Sequence, residues 1–537
     1  MLHNVPKRSR AAEALAALAV LALCLWRVPL LLARNYDPDE LQHLHGAYSV
    51  LHGLVPYVDY FEHHPPWTAW LLAPLVRALG PEWSAVQASR ALMCVFAWGA
   101  VWATYLLGRR TVGRSVAGTG TLLLCGVTLF VDRSLEIRPD VPATCAWLFG
   151  LVALLRGVAG GTRAAFATAG LLFGCGFMFT PKLAFGVTGA ALGALLTAPP
   201  GARAARVRGV ALMTAAAFVP LGVTLAVLAA QGAAGAFVQH VIVMPLSWPR
   251  ELSPMRFTRE LFERNPAVTV LGALGVAASL AALVRRPGLH EGPSTDARET
   301  RAPRAILGLA SVAIVCGWFT VPVPWPQFLL PLLPLWALGA ASALAWGADA
   351  VDRRTPPVLA RVVLPLVCVA GAALWSVSAG RANYADRAPY AALLALTAAP
   401  LLLATGSARL RAAAVPLILT TPLAWIVGRI HWNDDELRAS FEFVMTNTAP
   451  TDTVLTSWYG AALFRPHAYR YFFLHDGMLS VMTDAERGDD VLRILREAPP
   501  KAVERDEALG RLSPAVNAYL DEHYTPTGVG PIWIRRP

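Results

Sequence analysis

The chain has 537 residues, 55% of them hydrophobic and only 15% charged, against about 25% charged residues in a typical soluble protein. With a mean hydropathy of +0.48 and repeated apolar stretches of membrane-spanning length, this indicates an all-α polytopic membrane protein and excludes a cytosolic enzyme, a secreted disulfide scaffold and a disordered chain. The 46 Lys and Arg against 35 Asp and Glu give a net charge of +11; the excess sits in short loops on one side, so the positive-inside rule explains it and no nucleic-acid partner is called for.

In chain order, apolar stretches at 11–33, 90–108, 116–131, 139–155, 164–180, 183–198, 209–230, 267–284, 305–321, 326–347, 358–380, 389–406 and 412–429 predict thirteen membrane helices. Each needs about 20 helical residues to cross about 30 Å of hydrocarbon, so the shorter ones rely on their interfacial flanks. The first follows Lys7, Arg8 and Arg10 as a signal peptide would. It is too long for an h-region and lacks a clear small-residue cleavage site, so it is read as a retained span. With the N-terminus inside, the inner segments carry 20 basic against 5 acidic residues and the outer segments 22 against 28. That asymmetry predicts a cytoplasmic N-terminus and an external C-terminus.

Residues 34–89 form a large first external loop. A helix is expected from Pro38 to His52, with Leu41, Leu44, Tyr48 and Leu51 on one face and Gly53 as the stop. A second is expected to start at Pro65-Pro66 and to carry Trp67, Trp70, Leu71 and Leu75; amphipathic helices of this kind lie along the membrane surface. The outer segment 232–266, with His240, Trp248 and four arginines, is expected to cover whatever lies beneath it, and 285–304 reads as a polar inner linker. Val321-Pro322-Val323-Pro324-Trp325-Pro326 reads as a rigid outer turn. The chain thus divides into a membrane domain, 1–429, and a small extracytoplasmic α/β domain, 430–537. In the latter, Thr453–Ser457, Tyr469–Leu474 and Pro531–Ile534 read as strands, and Asp489–Glu497 and Ser513–His523 as helices. All seven cysteines fall in apolar stretches without a CxxC, so they predict neither a disulfide framework nor a zinc site.

The stretch most able to do chemistry is Asn35-Tyr36-Asp37-Pro38-Asp39-Glu40-Leu41-Gln42-His43. Asp37 as N-cap, Pro38 at the first helical position and Glu40 at the third make a capping box. That arrangement leaves Asp39 to point outward as a base or ligand. Asp39 and His43 share a helix face, and five of the twelve histidines (His43, His45, His52, His63 and His64) lie in this loop. Imidazole and carboxylate are both competent ligands for a divalent metal, but no HExxH or comparable set occurs. No metal is assigned, and substrate hydrogen bonding or a helix surface is the reading for these histidines.

Between the next spans, Asp132-Arg133-Ser134-Leu135-Glu136-Ile137-Arg138-Pro139-Asp140 is densely polar for a short turn. A solvated turn is one reading and a functional one the other; Asp140 falls at a helix start, where a carboxylate also suits the dipole. Lys182 is one of only three lysines and falls on the same outer side. It either snorkels to the interface or receives a phosphate as a point charge.

Asp39-Glu40 after the first span, followed by Gly53, Pro56-Tyr57, Asp59 and His64-Pro65-Pro66, resembles the first-loop pattern of the GT-C glycosyltransferases. These include the protein O-mannosyltransferases, the lipid A aminoarabinose transferases and bacterial relatives acting on lipopolysaccharide. The resemblance implies a helical bundle with surface helices over an external cavity and a donor sugar carried on a polyprenyl phosphate. It makes Asp39 the leading base, with Glu40 and Asp140 the other catalytic acids. Asp37, His43, Tyr57, Asp59, His64, Glu136, Arg138 and Lys182 become the substrate-binding candidates. An inverting transfer to an envelope acceptor (lipid, polysaccharide or protein) in a bacterial inner membrane is the expected activity. The alternatives are a transporter or flippase for a lipid-linked sugar, and a metal-dependent oligosaccharyltransferase. Consistent with a lipid-linked donor, no nucleotide-binding P-loop occurs.

Overall fold

The computed structural model of the protein describes residues 7–248, 250, 252–284, 295–381, 387–429 and 434–537. Every predicted span falls on helix. Among the described residues, six helices are long and apolar enough to cross a membrane: Ala11–Ala33, Trp83–Thr111, Asp140–Gly160, Pro200–Ala230, Arg301–Thr320 and Ser407–Gly428. Shorter apolar helices, among them Arg163–Phe177, Leu183–Leu196 and Pro266–Ala281, complete an integral multi-pass bundle.

Where helices break, the cause is local. The first span is two helices, Lys7–Leu25 and Arg27–Ala33, because Pro29 has no N–H to give the Leu25 carbonyl. The third is also two, Arg114–Gly126 and Thr128–Arg133, separated by an extended Val127. There Asn265 replaces the missing ladder bonds: its Oδ1 accepts the Thr128 amide at 3.1 Å and its Nδ2 donates to Thr128 Oγ1 at 2.8 Å. The proline-rich turn runs further than expected, through a short 3-10 segment Pro326–Leu329, so the next helix starts at Leu333 rather than 326. The predicted linker 285–304 is in part outside the described residues; from Thr295 onward it is helix, not linker.

Above the bundle, the first-loop helix spans Pro38–Leu51 and the second Trp67–Leu79, each within a residue or two of expectation. The segment 232–266 is mostly helical and reaches the first loop, with the His240 ring 5.2 Å from Phe61 and Trp248 5.1 Å from His63.

The C-terminal region carries a four-stranded sheet of β1 (Val454–Leu455), β2 (Ala502–Glu504), β3 (Tyr524–Pro526) and β4 (Ile532–Arg535), in the order β1-β2-β4-β3. The β1–β2 pair is parallel and the others antiparallel. One sequence expectation fails here: Tyr469–Leu474 is not a strand. Nearly all its side chains are buried, on both sides of the chain, and Tyr471 and Phe472 contact the first-loop rings of Phe61, Tyr60 and His45. A segment clamped on both faces without a ladder partner does not need to be a strand, and Ala502–Glu504 takes the sheet position instead.

This region is docked on the first-loop helix. Gly460 has φ +82°, and a Cβ there would lie 2.8 Å from Leu41 Cβ, so only glycine permits the approach. His45 joins the two parts through Leu463 O at 2.9 Å and His467 Nδ1 at 2.8 Å.

Candidate active site

The capping box read from the sequence is present: the Asp37 side chain accepts the Asp39 amide at 3.1 Å, and Glu40 accepts the Asp37 amide at 2.9 Å. It fixes the first turn of Pro38–Leu51 so that two adjacent carboxylates have different environments. Glu40 is fully buried. Arg90 donates to both its oxygens at 2.6 and 2.7 Å, and the Ile137 amide at 3.0 Å joins the Asp37 amide to make four bonds in all. With no lone pair left open, Glu40 is a clamp between the first loop, the helix Trp83–Thr111 and the polar turn 132–140. The sequence reading that grouped it with the proton-transferring acids does not fit this geometry.

Asp39 is about a quarter exposed and takes one bond, from Arg138 at 2.6 Å. Burial opposes its ionisation, but Arg138 beside it, helped by His43 and His475, outweighs that and holds the carboxyl at about 2. Asp37 moves the other way: burial and the neighbouring carboxylates raise it despite Arg138 and Arg133. Pairs of acids pushed apart in this manner are a mark of functional sites.

The polar turn 132–140 supplies the counter-charges. Arg138 binds Asp37 at 2.9 Å as well as Asp39, and also Glu136. Arg133 bridges Asp37 at 3.1 Å and Glu136 at 2.9 Å, and Arg34 bridges Glu136 and, at 2.8 Å, Asp132. Glu136 is fully buried among these three guanidiniums, so it orders the arginines rather than facing solvent. The dense polar turn is therefore a network, not a solvated loop.

Opposite Asp39 lie the remaining candidates. His43 and His64 stand edge to face at 4.9 Å, and the His63 and His64 rings lie tilted against each other at 3.9 Å. Burial, and then Lys182 in the case of His64 and His64 in the case of His43, pushes both imidazoles down to about 3, so both are neutral near pH 7. The charges facing Asp140, which is buried at the start of its helix, are Lys182, Arg138 and Asp39. Lys182 Nζ is 6.0 Å from the Phe328 ring of the proline-rich turn. Asp39, His43, His64, Arg138, Asp140 and Lys182 thus form one constellation.

Two predicted residues act beside it. Tyr57 is buried with φ +72°, uncommon for a residue with a side chain, and its hydroxyl donates to the His64 carbonyl at 2.7 Å. It holds the histidine loop in place. Asp59 accepts the Val55 amide at 2.6 Å and closes the turn before it, apart from the constellation. Arg34, Arg90, Glu62 and His475 were not singled out in the sequence. Arg34 carried a signal, as a positive charge in a loop expected outside, against the inside bias, and Arg90 as a charge at the edge of a predicted span; His475 had none, because only tertiary docking brings it to Asp39.

His43, Glu62 and His64 place one ligand atom each within 4.8 Å of one another, a donor set suited to zinc. Glu62 Oε1, however, already accepts His64 Nδ1 and the amides of His63 and His64 at 2.8–2.9 Å. Those bonds occupy Glu62 Oε1 and His64 Nδ1, so dialysis against EDTA is expected to leave turnover unchanged. A loss restored by added zinc, together with one bound zinc per chain by elemental analysis, would instead make it a metal site.

Residues 63–226 match the family described as dolichyl-phosphate-mannose-protein mannosyltransferase. No curated protein matches the sequence. The structure is similar to that of ArnT from Cupriavidus metallidurans bound to undecaprenyl phosphate, with a TM-score of 0.63 at 15% identity over 97% of this chain and 96% of that one. ArnT in the apo state gives 0.64 at 15% identity over 98% and 97%. The archaeal oligosaccharyltransferase AglB from Archaeoglobus fulgidus, in complex with an inhibitory peptide and a dolichol-phosphate, gives 0.51 at 11% identity over 97% and 74%. The first-loop motif, the matched stretch and the shared architecture agree, and the chain has the fold of the GT-C glycosyltransferases.

Proposed function

We propose that the protein transfers a sugar from a polyprenyl-phosphate donor to an acceptor hydroxyl at the outer face of a bacterial inner membrane, by a single inverting displacement. The observation that carries this reading is the ion pair of an accessible carboxylate, Asp39, with Arg138, beside an Asp140 that faces Arg138, Asp39 and Lys182. ArnT and AglB, whose folds this chain shares, are described with undecaprenyl phosphate and dolichol-phosphate bound, which supports the donor class.

In this mechanism the acceptor oxygen bonds to the anomeric carbon as the carbon–oxygen bond to phosphate breaks, and the phosphate leaves with that electron pair. The acceptor proton passes to Asp39. A carboxylate held at about 2 is a weak base, and base catalysis is most effective when the pKa lies near the working pH. A donor phosphate seated between Lys182 and Arg138 competes for the guanidinium. Losing part of that partner raises the proton affinity of Asp39 in the ternary complex. Lys182 and Arg138 then stabilise the negative charge gathering on the departing phosphate. Asp140 orients Lys182, and the neutral His43 and His64 hydrogen-bond the sugar or acceptor.

The test is purified protein in lipid with a panel of radiolabelled polyprenyl-phosphate sugars and an envelope extract as acceptor. Transfer from one donor, with a fall of about 10²-fold in Lys182→Ala as for loss of a transition-state donor group, is the expected result. Movement of intact lipid-linked sugar across the bilayer without transfer would establish the transporter reading instead.

A further inference from the structure

At the end of the bundle away from the carboxylates, a groove of about 820 Å³ opens between the first span, the helices Trp83–Thr111 and Arg114–Gly126, and the segment 397–415. Two helices give its depth independently. Arg109 lies nineteen residues beyond Arg90 on one helix, and Arg411 eighteen before Arg429, which follows the helix Ser407–Gly428 and pairs with Asp132. At 1.5 Å per residue both separations are about 27–29 Å, close to the thickness of a hydrocarbon core. The groove therefore belongs to the opposite membrane face from the site.

Its wall and its mouth differ in chemistry. The wall is apolar, built from Val20, Leu21, Trp98, Val101, Leu122 and Val415, and Ala12, Ala16 and Ala17 on the first span leave it room. The mouth carries Arg109, Arg114 and Arg411 against one acid, Glu13. None of the three arginines is within salt-bridge distance of a carboxylate among the described residues; Arg411 donates to Ser115 at 3.0 Å, Asp349 is the acid whose charge it feels, and Arg109 leans on the Tyr105 ring at 5.7 Å. The volume lies within the range of about 300–1,000 Å³ of small-ligand sites. An apolar slot with unneutralised guanidiniums at its interfacial end is complementary to an acyl chain joined to a phosphate, and basic pockets between membrane helices are known to seat anionic headgroups.

We propose that this groove is a binding site for one anionic phospholipid of the membrane leaflet opposite the carboxylate site, its phosphate held by Arg109, Arg114 and Arg411 and an acyl chain lying along the alanine face of the first span. The site stands on the groove and its charges and is independent of the reaction proposed above. It gives the bundle a preference for a charged leaflet, by the same electrostatics that orient the chain in the membrane.

Native mass spectrometry of the full chain released from nanodiscs of equal phosphatidylglycerol and phosphatidylcholine tests it. One retained phosphatidylglycerol per chain, preferred at least tenfold over phosphatidylcholine, is expected. Arg109→Gln/Arg114→Gln/Arg411→Gln should abolish the preference, the corresponding triple lysine variant should keep most of it, and Ala16→Trp should displace the lipid with the charges intact. Equal retention of the two lipids by the natural protein would overturn the proposal, as would an unchanged preference in the glutamine variant. A third arm adds undecaprenyl phosphate; if it alone occupies the groove and survives the glutamine changes, the slot holds the far end of a polyprenyl chain and the proposal fails.

Discussion

Asp39→Asn is expected to lower turnover by about 10²–10⁴-fold, the usual contribution of a positioned proton acceptor, with donor binding little changed. The carboxamide fits the same space, so the loss reports proton transfer rather than folding, and a melting curve matching that of the natural protein checks this. The sign of the pH dependence follows from the local charges. Asp39 is held at about 2 by Arg138 against its burial, and His43 and His64 at about 3. None of the three changes charge between pH 5 and 8, so kcat/KM, which reports the free enzyme, should be flat on the acid side across that range. An acid limb near the ordinary histidine value would show that one of these imidazoles must titrate, and would move the site's chemistry onto it. Transfer that survives in Asp39→Asn but is lost in Asp37→Asn would assign the proton to Asp37, whose carboxyl is raised by burial and its acidic neighbours.

Glu40→Gln and Arg90→Met are each expected to destabilise the protein by about 3–5 kcal/mol, because removing one partner of a buried ion pair leaves the other charge unpaired. For Arg90 the loss goes further. Its guanidinium also donates to the carbonyls of Leu31, Arg34 and Asn35 at 2.7–3.1 Å and stacks 3.5 Å above the Tyr36 ring. Four otherwise separate pieces meet on it: the end of the first span, the capping turn, the helix Trp83–Thr111 and, through Glu40, the Ile137 amide. Loss on that scale is a large share of the about 5–15 kcal/mol by which folded domains are stable. The check is the thermal midpoint of purified protein followed by tryptophan fluorescence. A midpoint within 1 °C of the natural protein in both variants would mean that the pair is not a structural clamp and would return Glu40 to the catalytic candidates.

Much of the architecture was legible from the residues because its causes are local. Hydrocarbon thickness sets the length of apolar runs, so the spans were readable, although the helices Trp83–Thr111, Thr295–Thr320 and Leu333–Arg354 start well away from the apolar edges. The capping box of Asp37, Pro38 and Glu40 was readable for the same reason: all its hydrogen bonds lie within one helical turn. Helix breaks were less legible. Pro29 announces its own, but the break at Val127 depends on Asn265, which is 137 positions away from its partner Thr128. Tyr469–Leu474 reads as a strand by composition, yet the aromatics that suit a strand equally suit a clamp on the first-loop rings.

The site divides along the same line. The residues alone specify a membrane bundle and single out Asp39, Asp140, Lys182 and Arg138 among the charges between its spans. The fold alone separates Asp39 from Glu40, adjacent in the chain but opposite in surroundings. One helical residue turns by about 100°, at 3.6 residues per turn, so the first carboxylate stays part exposed beside Arg138 and the second faces Arg90 in the core. Which face meets which partner is decided by packing between segments distant in sequence, and a linear pattern carries no record of that distance.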